Sequence, residues 1–292
     1  MSLASLFVDP FLDYGFMRRA LAGCVALSLS SAPIGVLLVL RRMSLVGDAM
    51  AHAILPGAAV GFLVAGLSLF AMTIGGVITG LAVALLSGLV SRATPIREDA
   101  SFAAFYLVSL GVGVLLVSLR GSNVDLLHVL FGTVLALDDP ALLLIGSIST
   151  ATLLCLAVIY RPLIVECLDP GFLRVAGGGG LVVHATFLTL VVLNLVGGFH
   201  ALGTLMVVGL MMLPATAARF WAETVIGQML VAVCLAILSS IAGLLLSYHQ
   251  SLPTSPSIIL IAGAFYLASI ALGRHGSLAH SLWHMVHAPR FR

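Results

Sequence analysis

Lysine is missing altogether: the 13 basic residues among 292 are all arginine. That usage has no physical account beyond compositional bias. Charge of either sign is scarce. Charged residues make up 8% of the chain, against about 25% in soluble domains, which excludes a water-soluble globular protein. No stretch is polar enough to form a soluble domain. No G-x-x-x-x-G-K phosphate loop occurs, and no H-E-x-x-H occurs. The chain therefore lacks the usual nucleotide cradle and the helix motif of an intramembrane metallopeptidase. Four cysteines (Cys24, Cys155, Cys167 and Cys234) are scattered without a C-x-x-C pair. They read as small buried hydrophobes, not as a disulfide framework or a zinc cluster. Met1 to Tyr14 carries Asp9 and Asp13 and no basic stretch, unlike a cleaved signal peptide.

What is abundant is apolar. Hydrophobic residues reach 61% and the mean hydropathy is +1.21. At about 20 residues per membrane-crossing helix, spans read at 20–40, 46–67, 69–91, 101–119, 141–160, 181–198, 201–217, 225–247 and 256–273. The seventh is short and holds Pro214. The expected fold is an all-α polytopic bundle of 8–9 transmembrane helices. Residues 1–17 form an outer amino end, 18–273 the membrane domain, and 274–292 an inner tail rich in histidine and arginine.

Arginine placement sets the orientation. With the amino end outside, the inner segments collect Arg41, Arg42, Arg92, Arg97, Arg161, Arg174, Arg219, Arg274, Arg290 and Arg292. The outer ones hold Arg18, Arg19 and Arg120. The outer segments also collect Asp9, Asp13, Asp125, Asp138 and Asp139, an entrance that attracts cations. Asp138 and Asp139 before Pro140 read as the start of the fifth span. Arg120 to Pro140 is too polar for a plain span and too apolar for a plain loop, and suits a short helix lining a vestibule. Glu166-Cys167-Leu168-Asp169-Pro170, running into Gly177 to Gly180, reads as a short inner helix with a glycine exit. Pro253 to Pro256 reads as an outer turn.

Gly47-Asp48-Ala49-Met50-Ala51-His52-Ala53 carries the sharpest chemical signal. An acid and an imidazole four residues apart share one helix face. A carboxylate in hydrocarbon costs at least ~2.5 kcal/mol, so it marks function by default. Hard oxygen beside borderline nitrogen suits a divalent transition metal. The plainer reading is a helix-entry aspartate and a hydrogen-bonded histidine. Asp125 and His128 would meet if their segment is helical, either as a vestibule site or as a solvated mouth. His200 follows Gly197-Gly198-Phe199 and reads either as a ligand or as an interfacial histidine. His275, His280, His284 and His287 read as a metal-receiving patch or, preferably, as a basic amphipathic helix on the inner leaflet with Trp283 as anchor.

The run Arg41 to Gly57 resembles the second-helix signature of the zinc/manganese/iron ABC-transporter permeases, the membrane subunits of cluster-type metal importers. Asn123 to Gly132 is similar to that family's central segment, Gly203 to Arg219 to its closing segment, and Asp169 to Gly177 to its coupling segment. The likeness spans residues 18–273. It implies a fold similar to the vitamin B12 and siderophore importers, with fewer helices. It implies two permease chains, most simply a homodimer, two cytoplasmic ATP-binding subunits and a metal-binding protein outside, in a bacterial plasma membrane. It implies Asp48 and His52 as the metal-pathway pair, with Asp125 and His128 as a vestibule metal site; His200, which departs from the family's pattern, is carried as a further, zinc-directed metal residue. Glu166, Asp169, Pro170, Arg174 and Gly177 would face the ATPase. No cofactor is expected to be bound permanently. The cargo expectation is zinc first and manganese second. The rival is an ATP-independent secondary transporter moving protons through Asp48 and His52.

Overall fold

The computed structural model describes residues 8–66, 68–119, 134, 137–168, 179–275 and 277. The backbone there is helical because hydrocarbon offers no partner for peptide groups, so an apolar run must bond within itself. The order is α1 (Asp9–Asp13), α2 (Gly15–Leu40), α3 (Val46–Ala53), α4 (Leu55–Ala65), α5 (Leu69–Ala93), α6 (Glu98–Leu119), α7 (Asp139–Leu168), α8 (Gly180–Leu202), α9 (Thr204–Ala218), α10 (Val225–Gln250) and α11 (Thr254–Leu272). Among the described residues, 8 helices are long and apolar enough to cross a membrane, with α3 and α4 counted as one.

The seventh expected span is α9. Its 15 residues reach only about 22 Å, short of the ~30 Å hydrocarbon thickness. It survives because it is interior: Met206, Val207, Leu210 and Met211 are all buried. With α2 and α8 it forms the packed centre. The outer helices turn Phe70, Leu107 and Val158 outward, as a lipid-facing surface requires.

Close approach depends on glycine at a few crossings. A Cβ on Gly35 of α2 would run into the carbonyl of Met211 on α9. On α4, Gly57 faces the backbone of Gly75 on α5. A Cβ on Gly61 would stand 2.7 Å from the Ala71 carbonyl carbon. The spacing Gly57-x-x-x-Gly61 is the small-residue pattern that lets two membrane helices touch through their backbones. Polar pairs add specificity inside the bundle. Ser30 on α2 meets Ser149 on α7 at 3.0 Å, and Asn194 on α8 donates to Thr152 on α7 at 2.8 Å.

Two breaks in α2–α4 position the acid–imidazole pair. The first follows α2. Arg42 sits in the left-handed region at φ 60. Met43 N–H returns to the Leu38 carbonyl at 2.9 Å, and Arg42 N–H to the Val39 carbonyl at 3.1 Å. This is a Schellman close, here with arginine where glycine is usual. The second break, at Ile54, falls between α3 and α4, with Pro56 in the first turn of α4. Proline lacks the N–H that would bond four residues back, to the His52 carbonyl. Ser109 of α6 donates to the adjacent Ala53 carbonyl at 2.9 Å.

Some expected boundaries shift. α7 continues to Leu168, well past residue 160, because Leu163 and Glu166 are buried against neighbours. α11 starts at Thr254, and the outer turn is Ser251 to Pro253. The break between α8 and α9 is Gly203, at φ 86, so Gly197 and Gly198 lie within a helix. Asp138 caps α7 by accepting from Ala141 N–H at 3.0 Å, as its place before Pro140 suggested.

Candidate functional site

The depth of α3 follows from its neighbours. Ser109 is the twelfth residue of α6, about 16 Å along that helix, and it bonds to Ala53. The carboxyl end of α3 thus lies near mid-membrane. The amino end sits lower, where Gly47 packs on Met211. Asp48 and His52 occupy the stretch between.

Within α3, Val46, Gly47, Ala49, Met50, Ala51 and Ala53 are buried. Asp48 and His52 are the exceptions, with side chains 66% and 31% exposed. Their nearest atoms, Asp48 Oδ1 and His52 Nε2, are 3.8 Å apart, too far for a hydrogen bond. Ligand bonds of roughly 2.1 Å each reach a common ion across up to ~4.2 Å, so this gap admits one ion held by both. No group of three or more histidine, cysteine, aspartate or glutamate side chains could hold a metal among the described residues. Two ligands from this chain would leave the rest of the shell to water or to another chain.

Asp125 and His128 lie outside the described residues, as do Asp169, Pro170, Arg174 and Gly177. His200 lies in the last turn of α8, on the outer side. Its side chain is likewise outside the description. Glu166 differs from its expected place. Instead of being presented at the surface, its carboxylate is 4% exposed and faces Arg41 at 3.6 Å. The inner tail begins docked. His275 N–H donates to the Phe220 carbonyl at 3.0 Å, and its ring meets Glu223 at 3.1 Å.

Glu166 belongs to a cluster that sequence reading missed. Arg41 at the end of α2 donates from Nη1 to His184 Nδ1 at 2.8 Å. The Phe187 ring lies 5.3 Å from its guanidinium carbon. His184 Nε2 stands 2.9 Å from Glu98 Oε1 at the start of α6. The two atoms are in range, but the geometry is not that of a formed hydrogen bond. Arg41 and His184 side chains are 8% and 5% exposed. Charges this deep occur only when paired. Ionisable residues inside apolar helices were the available signal. Their pairing spans 143 positions between Arg41 and His184, which no local pattern reveals.

The ABC 3 transport family model matches residues 13–273. The manganese import system permease protein ScaB of Streptococcus parasanguinis is 30% identical over 263 residues, covering 90% of this chain and 92% of its own length. The manganese transport system membrane protein MntC of Halalkalibacterium halodurans is 31% identical over 267 residues, 91% of this chain and 90% of its own. Other relatives carry iron in their names. Among solved structures, PsaBC from Streptococcus pneumoniae in complex with Fab aligns with a TM-score of 0.83 at 25% identity, over 96% of this chain and all of that one.

Proposed function

We propose, on the premise that this chain belongs to the ABC 3 transport family, that it is the membrane permease subunit of an ATP-driven importer of a divalent transition metal. It is a multi-pass protein of the bacterial plasma membrane. The observation that carries the reading is the uncovered Asp48–His52 pair on a helix otherwise buried near mid-membrane. Hydrocarbon is a costly neighbour for that carboxylate. Water or a second permease chain would cover it, and the ion path would run between the two chains. Each copy would supply one oxygen and one nitrogen ligand.

Manganese is the first-choice cargo and iron the second. Carboxylate oxygen with imidazole suits both, and the relatives' names support that order. Zinc, first on sequence alone, has no such support. The partners would be a cytoplasmic ATP-binding subunit that reaches residues 169–178 and an outer metal-binding protein that delivers the ion near Asp125 and His128. ATP hydrolysis would belong to the partner subunit.

The test is uptake into proteoliposomes holding this chain, its candidate ATPase and its binding protein. Manganese, ferrous iron and zinc would be compared with and without ATP. ATP-dependent accumulation of manganese in preference to zinc is expected. Uptake that ignores ATP and follows a pH gradient would refute the importer and restore the secondary transporter.

A further inference from the structure

The buried cluster around Arg41 joins the parts that ATP would have to move. Glu166 lies three residues before position 169, and His184 six residues after position 178. These two side chains bracket the segment assigned above to the ATPase contact. Both converge on one guanidinium, Nη2 toward Glu166 Oε1 at 3.6 Å and Nη1 toward His184 Nδ1 at 2.8 Å. Arg41 is also the last residue before the Arg42 corner. Beyond that corner the buried Met43 and Val46 lead directly into Asp48 and His52.

The chemistry of the contact is one-sided. Arginine only donates, so His184 Nδ1 accepts and carries no proton. The ring proton then sits on Nε2, beside Glu98 Oε1. The imidazole thereby lies between the arginine that closes α2 and the carboxylate of α6, without a formed hydrogen bond to the latter; α6 is the helix whose Ser109 holds the Ala53 carbonyl. The Phe187 ring, one turn beyond His184, covers the guanidinium. Cys167 lies against the same group. A planar fork with two separate donors fits this arrangement, and an ammonium does not.

We infer that Arg41, held by Glu166 and His184, is the positioning residue that carries movement of the inner ends of α7 and α8 to the metal pair on α3. This rests on the importer reading given above. When α7 and α8 shift at their inner ends, Glu166 and His184 drag the guanidinium, and the Schellman close passes that displacement to α3. Arg41 does not touch the metal. Its role is to keep metal passage in step with ATP hydrolysis.

The test uses the complete transporter in proteoliposomes and reads metal imported per ATP hydrolysed, together with the thermal midpoint of the purified complex. Arg41→Lys keeps the charge but cannot serve both partners. It should lower the import-to-hydrolysis ratio on the order of tenfold, in the range by which network residues modulate coupling, while the thermal midpoint changes little. Glu166→Gln alone leaves a buried cation short of a counter-charge and should lower both. The double variant Arg41→Gln with Glu166→Gln leaves neither charge behind and should recover the midpoint. Its import-to-hydrolysis ratio should stay low. A double variant that regains both, or an Arg41→Lys complex with the wild-type ratio, would overturn the inference and leave the cluster as a fold-holding ion pair. A wild-type complex with no ATP-dependent uptake would instead refute the importer reading itself.

Discussion

Asp48→Asn should abolish metal uptake while the complex still assembles in the membrane. The substitution keeps shape and removes the anionic oxygen. Little packing is lost, because the side chain is 66% exposed and its ion-pair contact with His52 is 3.8 Å long. Disturbing the outer-shell partners of a metal ligand costs 10- to 100-fold, so losing the ligand itself should lower uptake at limiting metal by more than about 100-fold. His52→Gln should fall in the same direction but less far, because one neutral donor replaces another. Membrane level and thermal midpoint should match wild type for both. Unchanged uptake by the Asp48→Asn complex at limiting metal would remove α3 from the ion path.

The second large effect is steric and acts on the fold. Gly57→Ala should destabilise the chain by about 3 kcal/mol, the upper end for overpacking, and Gly57→Val should prevent assembly. The reason is that the added Cβ meets the backbone of Gly75, and a backbone cannot swing aside. Separating α4 from α5 would also move the Ile54 break and displace His52, so uptake should fall with stability. Gly146→Ala is the control: a methyl there meets nothing within 4 Å. Thermal unfolding of the purified chain in detergent checks both. Equal midpoints for the Gly57 and Gly146 variants would show that the α4–α5 contact is not backbone to backbone.

Much of this was legible because it is local. Apolar runs of membrane length become helices whatever surrounds them, and among the described residues each of the nine expected runs is built mainly of helix. The pair Asp48 and His52 announces itself through its spacing. The cap at Asp138 is likewise written in its neighbours. What sequence hid is long-range. Arg41 and Arg42 read together as inner-side charges, yet Arg41 is buried on two helices far along the chain and Arg42 supplies a left-handed corner. His184 falls in the apolar run 181–198, and nothing near it in sequence needs an imidazole. Glu166 was expected to face the ATP-binding subunit through the resemblance alone, and its burial against an arginine 125 positions earlier is a contact that no local pattern reveals. The cargo order was also beyond the residues. Aspartate with histidine accommodates several divalent ions, and manganese took precedence over zinc only through the relatives.

The most direct test of the ion path is the reactivity of a thiol placed at Asp48. The four native cysteines would be replaced by serine or alanine, and Asp48→Cys introduced in the reconstituted complex. A charged, membrane-impermeant thiol reagent should modify the introduced thiol. Manganese far above the limiting level should slow that modification where calcium does not, because the new sulfur and the His52 imidazole would remain as a weakened pair of ligands that favours a transition metal over calcium. Leu107→Cys, on the lipid-facing side, should resist the same reagent. An Asp48→Cys thiol that reacts only with apolar, membrane-soluble reagents and is indifferent to manganese would place α3 against lipid and contradict a water-filled metal path.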